Sequence, residues 1–87
     1  MTDFRVEVRV TPRRGILDPQ GSAVQGALRS LGFGEVGEVH VGRLVVFTLA
    51  AADEGEAGAR ADAMCRQLLA NPVTEDYDVR VEAPAAA

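Results

Sequence analysis

Apolar and polar residues alternate near both ends of the chain. From Phe4 to Val10 every second residue is apolar, and charged residues lie between them. The same period of two runs from Tyr77 to Val81. Such alternation is typical of strands with one buried face and one solvated face. We therefore predict a first strand that begins at Phe4 and a last strand over Thr74–Glu82.

The segment after residue 17 has the spacing of an amphipathic helix. Asp18 can accept hydrogen bonds from the free amides of a first turn, and Pro19 suits the first helical position. Gly32 favours an end to the helix, because glycine readily adopts the left-handed conformation found there. We predict a helix over Pro19–Leu31. Its buried stripe is expected to comprise Ala23, Val24, Ala27, Leu28 and Leu31.

A second helix is predicted further along the chain. Asp53 followed by Glu56 has the spacing of a capping box, which satisfies the free amides of a helix start. The helical pattern ends at Asn71-Pro72, because proline cannot continue a helix. These signals predict a helix over Glu54–Ala70.

The apolar stretch between the two helices is interrupted by Gly42-Arg43. A glycine at the first position of a two-residue loop is the signal of a type II′ hairpin. We predict a hairpin with one strand over Glu35–Val41 and the other over Leu44–Ala50.

The predicted order is strand, helix, strand, strand, helix, strand. This is the ferredoxin-like, or split βαβ, arrangement of the α+β class, in which two helices cover one face of an antiparallel sheet. The hairpin register places Val45, Phe47 and Leu49 on the open face, where an apolar strip is expected to mediate self-association. A register shifted by one residue would place them in the core instead.

The length of the chain, 87 residues, allows one small core. We predict a single domain over residues 1–83 and a C-terminal tail over residues 84–87. A domain of this size buries a modest fraction of its surface, so that a partner would add much of its stability. A homodimer or homotetramer is therefore expected.

Charge and composition narrow the function classes. The net charge is −4 and aromatic residues make up 5% of the chain, which argues against nucleic-acid binding. The chain has no apolar run long enough for a membrane span and no signal-peptide pattern. Cys65 is the only cysteine, which excludes an internal disulfide and every CxxC motif. A reducing cytoplasm is expected.

The chain offers little for catalysis. His40 is the only histidine, and no cysteine or carboxylate pair lies near it in the sequence at the spacing of metal ligands. A surface or interface position is therefore favoured over a catalytic one. Cys65 has no neighbouring base and is interpreted as a buried structural thiol. No catalytic, cofactor-binding or metal-binding residue is predicted.

The run GILDPQG at residues 15–21 is over-specified for a simple connector, and the alternative is a loop that merely caps the helix. A second run, LLANPV, lies at residues 68–73. With Val41-Gly42-Arg43 between them, they resemble the PurS family, the small subunit of phosphoribosylformylglycinamidine (FGAM) synthase. The matching pieces span most of the chain in the family's order.

The resemblance implies a non-catalytic subunit of an ATP-dependent ligase of de novo purine biosynthesis. That enzyme converts formylglycinamide ribonucleotide, ATP and glutamine to FGAM, ADP, phosphate and glutamate. The implied partners are a large PurL-type synthetase subunit and a PurQ-type glutamine amidotransferase, which this chain would bridge to support ammonia transfer. ATP and Mg²⁺ are expected on the large subunit, and no cofactor on this chain alone. Candidate contacts with the large subunits are Asp18, Pro19, Gln20, Gly21, Gly42, Arg43, Asn71 and Pro72.

Two other functions remain open at this point. A regulatory module of the same fold would bind a small effector, with residues 15–21 as a ligand loop. An acylphosphatase-like hydrolase would need a phosphate-cradling arginine with a positioned asparagine, and Arg13 or Arg14 with Asn71 is the available set.

Overall fold

A computed structural model of the protein describes residues 1–82. The predicted tail over residues 84–87 lies outside the described residues. The first strand, both helices and the last strand are present close to their predicted bounds. The elements are β1 (Thr2–Pro12), α1 (Pro19–Ser30), β2 (Arg43–Ala51), α2 (Glu54–Met64), a π-helical turn (Cys65–Leu69) that continues α2, and β3 (Glu75–Glu82).

The sheet has three antiparallel strands in the order β2-β1-β3. The central strand β1 carries the core, because Val6, Val8 and Val10 are fully buried. Helix α2 and the π-helical turn cover this face with small residues, of which Ala61 and Cys65 are also fully buried. Small side chains on α2 let the helix lie close to the valine row of β1, so that the core is thin and tightly packed.

The turn and the first strand of the predicted hairpin at Gly42-Arg43 are wrong, whereas its second strand, predicted over Leu44–Ala50, is present as β2. Residues 35–41 pair with no strand, and β2 begins at Arg43 itself. Gly42 has another role: a Cβ atom there would lie 2.2 Å from the carbonyl oxygen of Val10. The glycine therefore allows a close backbone approach at the end of β1 rather than a turn.

The predicted apolar strip on the open face is also wrong. Directly opposed residues of an antiparallel pair share a face, and Val45 lies opposite Val8 while Phe47 lies opposite Val6. Val45, Phe47 and Leu49 therefore lie on the face that α2 covers, packed against the core and partly buried. They therefore lie on the core side, as the alternative expected, but the pairing of β2 with β1 and not a shifted hairpin puts them there.

The open face of the sheet is mostly charged. Arg5 of β1 makes ion pairs with Glu7 and with Glu82 of β3 on this face. Its large apolar residues are Leu44 and Val46 of β2, both exposed. A charged face needs no cover, which explains how a sheet can have helices on one side alone.

Helix α1 does not cover the sheet as predicted. Its expected buried stripe is largely open: Val24 is 41% exposed and Leu31 is 73% exposed, and the one buried residue of the helix is Gly21. The helix packs instead on the segment that follows it, where the side chain of Gln25 donates to the carbonyl oxygen of Gly37 at 2.7 Å. Residues 19–42 thus form an arm, a name used below for α1 and the segment after it.

The arm gives the molecule an elongated shape. Its radius of gyration is 16.6 Å and its principal extents are 51 × 31 × 14 Å. A compact chain of this length has a radius of gyration of about 12 Å. The difference follows from the arm, which extends away from the sheet.

We expect Val8→Ala to lower the free energy of unfolding by about 2 kcal/mol, because it removes buried methyl groups and leaves a cavity under α2. Val46→Ala removes the same atoms from the open face of the same sheet. It is expected to change the free energy of unfolding by less than about 0.5 kcal/mol. Urea denaturation of both variants at one protein concentration measures the two values. Equal losses would contradict the assignment of faces.

Candidate functional site

Three separate stretches of the chain meet at one end of the sheet, at the base of the arm. They line an open cavity of about 310 Å³, the end pocket, which holds residues of the GILDPQG run together with Val41, Gly42 and Arg43. The lining residues are Pro12, Ile16, Leu17, Asp18, Gln20, Val41, Gly42, Arg43, Thr74 and Glu75.

Asp18 fastens both ends of the arm. Its Oδ1 accepts from the backbone amide of Gly21 at 3.0 Å, which caps α1, and its Oδ2 accepts from the amide of Val41 at 2.9 Å. These amides hold the pKa of the Asp18 carboxyl below its ordinary value of 3.8, because they stabilise the charged form. The side chain is 9% exposed, so that its charge serves the fold rather than a partner.

Gly21 lets α1 lie against the returning chain. A Cβ atom at this position would lie 2.1 Å from the carbonyl oxygen of Val39 and 2.6 Å from Oδ2 of Asp18. No side chain fits there without moving backbone. The glycine of the GILDPQG run therefore sets the spacing inside the arm.

Arg43 and Glu75 form a bidentate ion pair between the starts of β2 and β3. The two nitrogen–oxygen distances are 2.7 and 2.9 Å, and Arg43 also donates to the carbonyl oxygen of Leu69. Glu75 accepts in addition from the amide of Asn71 at 2.8 Å. The guanidinium holds the pKa of Glu75 below its usual range. The pair closes the wall of the end pocket.

Asn71 and Pro72 shape the turn into β3. The side chain of Asn71 accepts from the amide of Val73 at 3.0 Å, and both Asn71 and Pro72 are exposed beside the pocket.

The structure divides the eight predicted contact residues into two groups. The first group is occupied with internal contacts and comprises Asp18, Gly21, Gly42 and Arg43. The second is exposed around the end pocket or at the start of α1 and comprises Pro19, Gln20, Asn71 and Pro72.

Sequence reasoning missed part of the pocket rim. Leu17 is 83% exposed and Ile16 is 38% exposed, although both are large and apolar. The signal was an apolar pair inside a glycine-containing loop. Glu75 was also absent from the predicted contacts, because its pairing with Arg43 depends on a separation of 32 residues that no local pattern reveals.

Neither His40 nor Cys65 lines the end pocket. His40 is hydrogen-bonded to Glu38 at 2.8 Å and lies 3.5 Å from Asp18 on the arm. Cys65 begins the π-helical turn and is fully buried, as predicted, and burial raises the pKa of its thiol. Among residues 1–82 no three metal-ligating side chains come together.

The family model of PurS, phosphoribosylformylglycinamidine (FGAM) synthase, matches residues 5–83. The chain belongs to the PurS family. PurS subunits of Synechocystis and Bacillus subtilis are each 42% identical to it, over 92% and 91% of this chain and 80% and 93% of theirs. The predicted function as an FGAM synthase subunit of purine biosynthesis is confirmed.

Solved PurS structures share the fold. Bacillus subtilis PurS superposes with a TM-score of 0.82 at 41% identity, over 92% of this chain and 99% of that one. A chain of the Thermotoga maritima PurLQS structure superposes with a TM-score of 0.85 at 28% identity, over 94% and 100%. This agreement places α1 and the sheet in an arrangement that PurS proteins have in common.

We expect Gly21→Ala to lower the free energy of unfolding by about 2 kcal/mol, because the added methyl group overlaps the backbone of Val39. Gly26→Ala lies in the same helix with open space around its Cβ position and is expected to stabilise by about 0.5 to 1 kcal/mol. Thermal and urea unfolding should show changes of opposite sign in the free energy of unfolding of the two variants. A stabilised Gly21→Ala would show that the close approach does not exist in solution.

The pH dependence of stability should report the Asp18 carboxylate. Because its pKa is lowered in the folded state, its contribution is complete above pH 3.8 and is lost as the pH falls through the folded value. Asp18→Asn should be less stable at neutral pH and lose less stability on acidification. Asp78→Asn, an exposed change on β3, is the control and should follow the wild type in urea unfolding from pH 7 to 3.

Proposed function

We propose that this chain bridges the PurL-type synthetase and PurQ-type glutaminase subunits of FGAM synthase and supports the transfer of glutamine-derived ammonia between them. The single observation that carries the proposal is the likeness to a chain of a PurLQS structure over 94% of its length. PurLQS denotes a complex of PurL, PurQ and PurS, and a chain of that structure superposes on this one.

The side chains of this chain support a role in assembly rather than in chemistry. Cys65 is buried with a raised pKa and so is not poised as a nucleophile. The lowered pKa values of Asp18 and Glu75 arise from fastening the end pocket, not from general acid or base work. We propose that ATP and Mg²⁺ bind on the large subunit and that no cofactor binds this chain alone.

The rim of the end pocket is the proposed contact with a large subunit. Leu17 is largely exposed there beside Ile16, and Gln20 and Asn71 supply polar groups around them. An exposed apolar anchor with a polar surround is the usual composition of a protein interface. The rigid base beneath, held by Asp18 and the Arg43–Glu75 pair, keeps the rim in one shape.

The chain is further proposed to act in the cytoplasm as a homodimer or homotetramer. A single free thiol suits a reducing compartment. No helix in the described part of the chain has the length and apolar character to cross a membrane. The exposed stripe of α1 favours self-association, in which the full ferredoxin-like set of elements would be completed.

Reconstitution of the synthase tests the bridging role. We expect glutamine-dependent FGAM formation by the synthetase and glutaminase subunits to need this chain, and ammonia-dependent formation to proceed largely without it. The ammonia reaction is the internal control, because it bypasses the glutaminase. Equal glutamine-dependent rates with and without the chain, and no ternary complex on a sizing column, would overturn the proposal.

The contact surface has its own test. Leu17→Ser should weaken assembly with the large subunits at least tenfold, because it removes an exposed apolar anchor. Leu44→Ser changes another exposed leucine, on the open sheet face, and should leave assembly unchanged. Each variant is titrated into the large subunits, and the glutamine-dependent activity at each concentration measures its assembly. The reverse order of effects would assign the contact to the open sheet face.

A further inference from the structure

The end pocket is open to solvent and has an apolar rim. Ile16 and Leu17 line it from the loop before α1. Val73 is 74% exposed and precedes the lining residue Thr74 in the chain. The backbone amide of Arg13 donates to the carbonyl oxygen of Thr74 at 2.9 Å, which joins these two stretches. Large apolar side chains around a cavity in water mark a site that another molecule covers.

The charged side chains that line the pocket are paired inside the chain. Arg43 donates to Glu75 at 2.7 and 2.9 Å and also to a backbone carbonyl oxygen. Asp18 accepts from two backbone amides, one through each carboxylate oxygen. The remaining polar lining residues, Gln20 and Thr74, are uncharged. Each charged group among the lining residues is therefore engaged in holding the fold.

This pairing disfavours a nucleotide or another anion as the occupant. A phosphate group needs a cation, and Arg43 is the one cation among the lining residues. A phosphate bound there would displace Glu75 from its bidentate pair. The carboxylate of Glu75, whose side chain is 19% exposed, would then lack a counter-charge. Removing one partner of an ion pair that little water reaches is costly.

An apolar side chain meets no such cost. The apolar lining residues of the pocket are Pro12, Ile16, Leu17 and Val41. Binding energy at protein interfaces is concentrated in a few side chains that fill pockets of this kind. The pocket is also fixed in shape, because Asp18 and the Arg43–Glu75 pair hold its walls. Little conformational entropy is then lost when a side chain enters.

We propose that a large subunit inserts one uncharged, apolar side chain into the end pocket, and that the pocket is not a site for a nucleotide or another small anion. The inference rests on the contact proposed above for the rim and names the group that this contact receives. The rim and the pocket are one continuous surface, so the subunit that covers Leu17 is the source of the inserted side chain.

Two substitutions at Thr74 test the character of the occupant. Thr74→Asp places a carboxylate against an apolar group and should raise the Kd for the large subunits by about tenfold or more, because an unpaired charge is costly to bury. Thr74→Val keeps the shape of the side chain and should change the Kd by less than about twofold, since no hydrogen bond to an apolar occupant is lost. Isothermal titration calorimetry of each variant against the two large subunits together measures the Kd.

Thr48→Asp is the matched control. Thr48 is exposed on the open face of β2, opposite Arg5, and the same substitution there should leave the Kd unchanged. Circular dichroism and thermal unfolding verify that Thr74→Asp is folded. A folded Thr74→Asp variant with the wild-type Kd would overturn the proposal. A Thr74→Val variant that loses as much binding as Thr74→Asp would show a polar occupant and overturn it as well.

A second pair of variants fills the pocket instead of charging it. Gln20 is exposed at the start of α1, where a larger side chain is tolerated. Gln20→Trp should occupy the pocket and raise the Kd by about tenfold or more, whereas Gln20→Ala leaves the pocket open and should change the Kd by less than about twofold. Equal Kd values for the two variants would show that no partner group enters the pocket.

Small molecules are tested on the purified chain. ATP, glutamine and inorganic phosphate should each leave the Tm unchanged, because a ligand of the folded state would raise it by mass action. A rise in Tm that Thr74→Asp abolishes would make the end pocket a metabolite site and overturn the proposal.

The insertion and the bridging role fail in different ways. A wild-type chain that does not bind the large subunits would overturn both. If the wild type binds and Leu17→Ser weakens binding, but Thr74→Asp and Gln20→Trp do not, the bridging role stands and the insertion is wrong. Light scattering on the chain alone should give the same mass for Thr74→Asp as for the wild type. A lower mass would assign the pocket to a second copy of this chain and overturn the insertion.

Discussion

The hydrogen bonds of the Asp18 carboxylate hold the architecture together. One oxygen caps α1 through Gly21 and the other receives the amide of Val41, so that a single side chain fixes where the arm leaves the body and where it returns. Without these bonds two backbone amides would have no partner at the base of the arm. The shape of the end pocket and the direction in which the chain enters β2 both depend on these hydrogen bonds of Asp18.

The residues that carry the family resemblance are explained mainly by this construction. Gly21 and Gly42 allow close backbone approaches, and Arg43 joins Glu75 across the pocket wall. The contacts that the structure shows for them are internal, and their part in binding a large subunit stays a prediction. The proposed contact with a large subunit is the rim of the end pocket, where Leu17 is exposed on a rigid base. A rigid base limits the entropy lost on binding.

The predictions that held rest on short-range chemistry, and those that failed rest on long-range pairing. The alternation of β1 and the capping role of Asp18 can be read within a few residues. The hairpin failed because glycine serves turns and close approaches alike, and only the position of Val10 decides between them. The wrong hairpin placed Phe47 on the wrong face, because the face of β2 is set by its pairing with β1, where Phe47 lies opposite Val6.

The sequence alone determined the strands at both ends, the two helices, the buried Cys65 and membership of the PurS family, because each depends on local pattern or on residue identity. It also determined part of the pocket, through the GILDPQG run. The tertiary structure decided that α1 leaves the sheet and that Glu75 completes the pocket with Arg43. The physical reason is that these outcomes depend on which backbones and charges meet across long separations in the chain, where local propensity carries no information.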